Sequence, residues 1–355
     1  MNYSKDDLAV IALNSIPILT ERRRFELLSA VESPRFLFDR KKLLPLLIET
    51  EQSDVYNRIG EALCEEYALA AASSCEKKGY VAVPYTHERY PFSLRQSECF
   101  PLVLYAAGRL ELLQSRFFCV VGSRRTLPNI LKVTESLSEE LSAHFTVLTG
   151  VAEGGDYAAA QGALSSGNVA CMLAGGFETA SLKQLHREVV KKGLLISPFP
   201  PTLPTQKFMY RVRNRFMASL AEGVLIVSAG KVSGALITGE CALEMGKFTY
   251  AFPYTVGSSS GEGCNALLKK GAYPTENILD ILPDFGINLS KESSSVPLTA
   301  EERLVLTSLA EREELHRSEI ARESNLGEAE LSAVLSALEI KNLIVRTGGN
   351  KYRPV

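Results

Sequence analysis

Four cations fall within nine residues of a chain whose formal net charge is -2: Lys207, Arg211, Arg213 and Arg215. Phe208, Tyr210 and Phe216 are interleaved with them, and Asn214 stands between two arginines. Lysine and arginine meet phosphate oxygens, and aromatic faces meet unstacked bases, so this interleaving suits a single nucleic-acid strand. The plain alternative is a basic loop leading into a helix, its arginines paired with acidic neighbours, since charge runs are usually solvated surface.

The connections around the stretch favour the first reading. Short apolar runs at 117–121, 145–149, 169–173, 194–197, 224–227 and 248–252 have the form of strands buried on both faces. Helical patterns of about a dozen residues separate them, as with Ile130, Leu131, Leu137 and Leu141. This alternation predicts an α/β fold with a doubly wound, mostly parallel sheet. Helix-to-strand joints are brief, such as Lys192-Gly193 and Gly246-Lys247. Strand-to-helix joints are longer and rich in Gly, Ser and Pro: Gly122-Ser123-Arg124, then 150–156, Ala174-Gly175-Gly176, 198–205, 228–234 and 257–265. All of the second kind lie at the carboxyl edge of a parallel sheet, where such folds bind ligands. Glycines there bring backbone N–H groups to an anion, and helix N-termini add partial positive charge. The basic stretch lies in the fourth of these joints.

Neighbours on a helix point about 100° apart, so Arg213 and Arg215 cannot face one way. One is expected to point into the pocket and the other to buttress the connection from Ser228 to Gly234, while Asn214 satisfies backbone groups of a glycine loop. Asp156 fits as the cap of the helix it begins. His186, on a helix over 181–191, is expected at the surface.

Composition sets the outer bounds. The 355 residues are 46% hydrophobic and 23% charged, enough for two or three domains, and a polyanion must be met by a local patch. The first residues carry acids and no apolar core of a signal peptide, and no apolar run approaches the ~18 residues of a membrane span. Seven cysteines without a CxxC pair read as buried thiols of a cytoplasmic protein, with no metal site. Gly246-Lys247 is followed by Phe248, so no Walker A motif is present, and no GxGxxG follows the first strand. Histidines 87, 144, 186 and 316 are scattered without HExxH. No cofactor and no hydrolytic constellation are expected.

Four segments follow from the pattern. Residues 1–78 read as helices, with Leu8, Ile11 and Ala12, then Phe25 and Leu28, then Leu43, Leu46 and Leu47 at helical spacing. Residues 79–285 hold the sheet, with Tyr90-Pro91 opening a linker into a strand near 101–105. Residues 286–297, with Lys291-Glu292-Ser293-Ser294-Ser295, read as a linker. Residues 298–355 predict three helices, the first capped by Thr299, and a hairpin about Gly348-Gly349-Asn350: a winged-helix pattern. Its recognition helix carries Glu328, Glu330 and Glu339 and no arginine, so it is expected to contact protein and not DNA.

The chain resembles the DNA-processing protein A (DprA/Smf) family over nearly its whole length. The residues that carry the resemblance are Val120-Val121-Gly122-Ser123-Arg124, Gly155-Asp156 with Ala158-Ala159, Arg213-Asn214-Arg215, Ser233-Gly234-Ala235-Leu236-Ile237-Thr238, and Asn265 with Gly271-Ala272. The resemblance implies a Rossmann-like central domain, a SAM-like N-terminal domain and a C-terminal winged helix. It also implies a non-enzymatic, homodimeric binder of single-stranded DNA that loads a RecA-type recombinase in natural transformation. The chain departs from the family pattern where Gln161 replaces His, Ser228 an acid, Tyr210-Arg211 Phe-Pro, and Cys264 the Thr before Asn265. Glycines of the family's N-terminal hairpin turn are replaced by Ile18-Leu19-Thr20, removing a backbone phosphate contact.

In the leading reading Arg124, Lys207, Arg211, Arg213 and Arg215 neutralise phosphates, and Tyr210 or Phe208 stacks a base. Gly122, Ser123, Gly155, Asp156, Ser233, Gly234 and Asn265 complete the site from the joints. The alternative is a small-nucleotide-binding protein or nucleoside-monophosphate glycosidase on a related fold, suggested by Ala174-Gly175-Gly176-Phe177-Glu178.

Overall fold

In the computed structural model all six apolar runs are strands of one sheet, which has nine strands among the described residues. The structure describes residues 1–43, 59–97, 100–179, 184–288, 298–310, 312, 314–341 and 343–354. In chain order the strands are β1 (Val81–Pro84), β2 (Val103–Gly108), β3 (Phe117–Gly122), β4 (Thr146–Thr149) and β5 (Val169–Met172), followed by β6 (Leu194–Ser197), β7 (Gly223–Ser228), β8 (Phe248–Ala251) and β9 (Tyr273–Pro274). Their spatial order is β1-β2-β6-β5-β4-β3-β7-β8-β9. From β6 to β9 every pair is parallel, while β1 and β2 add an antiparallel margin.

The topology creates one privileged place. From β3 the chain steps outward through β4, β5 and β6, and from β7 it steps the other way. Beyond the carboxyl ends of β3 and β7 the connections diverge and leave a crevice. Pairing slips at this point: Val121 lies opposite Ile226 but Gly122 opposite Ser228. This bulge turns Gly122 and Ser123 out of the sheet.

The helix that follows β4, Gly155–Ala163, starts in backbone contact with that bulge. A Cβ on Gly155 would lie 2.4 Å from the Cα of Gly122, and one on Gly122 would lie 2.8 Å from the Cα of Gly155. The Gly155 N–H donates to Ser123 O at 3.1 Å, and Gly154 before it adopts φ 90°, open to glycine at little cost.

The sheet belongs to a unit running from Met1 to Phe285. Helix Lys5–Asn14 opens with a capping box between Ser4 and Asp7, and every residue from Asp7 to Asn14 is buried. It docks on the antiparallel margin: the Tyr3 hydroxyl donates to Ala82 O at 3.0 Å, and Asn14 Nδ2 to the Tyr105 hydroxyl at 3.1 Å. Helices Glu21–Ser29, capped by Thr20, and Glu65–Lys77 follow. Leu46 and Leu47 lie outside the described residues. The expected linker at Tyr90-Pro91 is instead packed structure. Tyr90 is 1% exposed and donates to Pro101 O at 2.7 Å, and a helical turn covers Phe92–Arg95, because a tyrosine ring gains more in the core than in solvent.

The second unit, Gly286 to Val355, contains helices Ala300–Ala310, Arg317–Ser324 and Glu328–Ile340. Thr299 caps the first as expected, accepting from the Glu302 N–H at 3.2 Å. Strands Ile344–Thr347 and Lys351–Pro354 form the hairpin, turned by Gly349 at φ 73° and Asn350 at φ 58°. A short strand, Leu315–His316, pairs with the second hairpin strand, an element too brief to leave a period in the sequence. Val305, Leu309, Ile320, Leu331 and Leu335 fill the core. Residues 289–297 of the linker lie outside the described residues.

The Gly122–Gly155 contact gives a stability prediction. Gly155→Ala forces two backbones apart and should cost about 1–3 kcal/mol, read as a lower urea midpoint at unchanged slope. Gly60→Ala, where a Cβ would meet nothing within 4 Å, should leave the midpoint level or raise it slightly. Equal midpoints for the two variants would refute the contact.

Candidate nucleic-acid interface

Beneath the crevice lie a carboxylate and a guanidinium, Asp156 and Arg213, each 5% exposed. They close over the Cα of Gly150, where a Cβ would sit 2.1 Å from Asp156 Oδ2 and 2.2 Å from Arg213 Nη1. Only glycine fits there. Asp156 Oδ1 accepts from the Gly122 N–H at 3.1 Å, and Arg213 Nη1 donates to Met172 O at 3.2 Å. Burial pushes the Asp156 carboxyl above its usual range, opposed by the charge of Arg213 and the N–H of Gly122. The expected helix-cap role of Asp156 is thus corrected. The helix starts from Gly154 without a side-chain cap, and Asp156, inside its first turn, faces the sheet.

Above these two residues opens a cavity of about 630 Å³, lined by the end of β3 at Val121 and Gly122 and by the connection after β7 from Gly230 to Gly234. Gly122, Ser123 and Arg124 line one side, and Ser233 and Gly234 the other; Tyr210, Arg213 and Asn214 reach it from helix Lys207–Leu220. A second cavity of about 350 Å³ shares Arg124, Tyr210 and Arg213 with the first and runs on past Ala174 and Gly175. The two form a trough along the carboxyl edge, with the exposed Arg124 over both.

Side chains fix the loops around this trough. Asn214 Nδ2 donates to Gly234 O at 2.8 Å, so the asparagine holds the glycine loop as expected. Ser233 caps helix Gly234–Glu244, accepting from the Leu236 N–H at 3.2 Å. Ser228 is buried; its hydroxyl lies 3.1 Å from that of Ser123 and donates to Ser260 O at 3.1 Å. A neutral hydroxyl therefore ties three connections at the floor.

The remaining predicted residues fall elsewhere. Lys207, Arg211 and Arg215 recur every fourth residue, form an exposed outer row on their helix and do not line the cavity. The loop-buttressing role expected of an arginine belongs to Asn214; Arg215 is exposed, and Arg213 is the arginine turned inward. Phe208, 57% exposed, lines a third cavity on the far side of the same helix, so Tyr210 is the aromatic facing the switch point. Gly155 lies behind the wall, against Gly122. Asn265 grips a neighbouring strand end: its Oδ1 accepts from the Tyr254 N–H at 3.1 Å, its Nδ2 donates to Tyr254 O at 2.9 Å, and the Tyr254 hydroxyl reaches Val227 O at 2.7 Å. His186 is buried, not a surface residue, because its helix Gln184–Lys192 turns it toward the second cavity. Arg125, Ser259 and Ser260 line the main cavity without having been predicted. The doubled arginine and the serine run at the sixth joint were the legible signals for them.

A mostly parallel, doubly wound sheet with glycine, serine and arginine around its switch point defines a fold of the Rossmann-like class. The family model of DNA recombination-mediator protein A matches residues 82–286, and that of the DprA winged helix domain matches residues 290–350. The chain belongs to the DNA recombination-mediator protein A family. It is 31% identical over 200 residues to DNA processing protein DprA of Streptococcus pneumoniae, spanning 55% of this chain and 71% of that one. Against protein Smf of Escherichia coli the identity is 32% over 222 residues, spanning 60% of this chain and 59% of that one. The crystal structure of DNA processing protein A from Streptococcus pneumoniae is similar with a TM-score of 0.60 at 23% identity, covering 81% of this chain and 100% of that one. DNA processing protein A from Helicobacter pylori, whose structure was solved for its mode of binding single-stranded DNA, is similar with a TM-score of 0.52 at 24% identity, covering 58% and 95%. These two likenesses concern the fold.

The buried pair separates two arginines that look alike in sequence. Arg213→Met removes the buried charge facing Asp156 and the donor to Met172 O, and should cost about 1–3 kcal/mol of unfolding free energy. Arg124→Ala, at an exposed loop, should stay within about 0.5 kcal/mol of the parent. Chemical denaturation of both variants checks this, and a stable Arg213→Met protein would contradict the pairing.

Proposed function

We propose that this recombination mediator binds single-stranded DNA, without catalysis, in the trough at the carboxyl edge of its sheet. One observation carries the reading: an exposed arginine, Arg124, and an exposed tyrosine, Tyr210, line one cavity together with Arg125, glycine loops, serines and Asn214, above the buried Asp156 and Arg213. Arg124 and Arg125 neutralise phosphates, loop N–H groups add donors, and the Tyr210 ring offers a stacking face. The trough recognises a backbone and flat bases, with no base-edge code in it.

Two acids near the trough do not serve the glycosidase alternative, and Glu153, on the second cavity beside His186, is the one that the AMP test addresses. Asp156, the carboxylate on the main cavity, is buried and held by Gly122 and Arg213. Glu178, in the segment that suggested the enzyme, accepts from the Tyr80 hydroxyl at 2.7 Å and pairs with Lys78 at 2.8 Å, and it lines neither cavity. On family grounds the reading extends to a homodimer that hands the strand to a RecA-type recombinase. The helix Glu328–Ile340 of the winged unit presents Glu328 and Glu330 at its exposed start, which fits a protein partner better than a phosphate backbone.

Affinity for oligo-dT should fall linearly with salt on logarithmic axes, and Arg124→Ala should flatten the slope by about 0.7, one single-strand phosphate contact. An unchanged slope would remove Arg124 from the interface. Incubation with AMP should release no adenine; measurable release would establish the enzyme instead. Deleting 298–355 should keep oligo-dT affinity within a few-fold, and a tenfold loss, about 1.4 kcal/mol, would place the winged unit on DNA.

A further inference from the structure

The helix Lys207–Leu220 separates the trough from the third cavity, and the reading above uses only the trough. The other, of about 410 Å³, lies between this helix, the connection after β6 and the N-terminal helices. Its walls include Pro17, Phe199, Pro200, Phe208 and Phe216, an apolar and aromatic lining unlike the glycine and serine of the switch point.

At its N-terminal wall stands Arg24. Its Nη2 donates to Ile16 O at 2.9 Å, but its Nε is buried with no hydrogen-bond partner among the described residues. Burial pushes the guanidinium pKa below its usual value. A donor left unpaired in a desolvated site costs free energy until an acceptor reaches it. Glu21 lines the same cavity and disfavours a phosphate inside it.

Helix geometry relates the two cavities. With 3.6 residues per turn, Lys207, Arg211 and Arg215 lie in a shallow row about 12 Å long. Tyr210 and Asn214 flank the row on one side and Phe208 and Val212 on the other, so the cations form the ridge between the cavities. None of the ion pairs among the described residues involves these three cations. Each cavity also has an aromatic ring at its mouth, Tyr210 at 39% and Phe208 at 57% exposure.

We propose that the helix is a saddle: a strand bound at the switch point crosses the Lys207–Arg211–Arg215 ridge and seats a further base in the third cavity against Phe208. This rests on the single-strand reading. The occupant is a nucleobase because the walls are apolar and aromatic, the cationic ridge leads a strand to them, and Glu21 in the lining disfavours phosphate.

The test uses the full chain and oligo-dT carrying one 5-iododeoxyuridine at each position in turn. After irradiation, peptide mass spectrometry should find Phe208 cross-linked from one position and Tyr210 from another further along the strand. Phe208→Ala should weaken a long oligo-dT about tenfold, leave melting temperature unchanged, and spare an oligomer too short to cross the ridge. Undiminished affinity in that variant, with cross-links at Tyr210 alone, overturns the saddle and leaves the switch-point site standing. Absence of binding by the parent chain overturns both.

Discussion

Two buried charges under the sheet's switch point, Asp156 and Arg213, face each other across the Cα of Gly150, each held by a backbone partner and not by a direct bond to the other. Taking two such ions out of water costs several kcal/mol each, offset by their mutual field and by those backbone partners in one geometry. That geometry needs a bare Cα at Gly150, a free N–H at Gly122, and the carbonyl of Met172 at the end of β5. The N–H of Gly122 in turn depends on the bulge against β7 and on the backbone contact with Gly155. Glycines in two connections thus answer to these two buried groups, and binding is only part of what they do.

The same pair positions the surface above it. Arg213 fixes one face of helix Lys207–Leu220, which sets the direction of every other side chain on it. Tyr210 and Asn214 are turned toward the main cavity, the outer cations toward solvent, and Phe208 toward the far side. An asparagine between two arginines is read here as division of labour: one residue pairs inside, one holds a glycine loop, one remains exposed. With a formal net charge of only -2 spread over 355 residues, a concentrated cationic edge dominates the local potential that an approaching strand meets.

Much of this was legible in the sequence. The strands of a parallel sheet are apolar runs, and the contrast between short and long joints located the carboxyl edge before any coordinate was known. Six of the expected site residues, Gly122, Ser123, Arg124, Asp156, Ser233 and Gly234, line the main cavity and sit in those long joints. Side-chain direction was less legible. Phe208 and Tyr210 are equivalent in a linear reading, and only the packing of Met209 and Phe216 decides which ring faces which cavity. Asn265 looks like a site residue but serves the fold, because a motif records that a polar side chain is needed and not what it bonds. Asp156 reads as a cap because a first-turn acid commonly is one; its burial answers to Arg213, which is 57 positions away in the chain.

Hydrogen exchange on the full chain, with and without oligo-dT, tests the central claim most directly. Bound strand should slow exchange together in the loops after β3 and after β7, at 122–125 and 230–236, which are distant in sequence and meet only at the switch point. Protection confined to 298–355, or to neither loop, would contradict it.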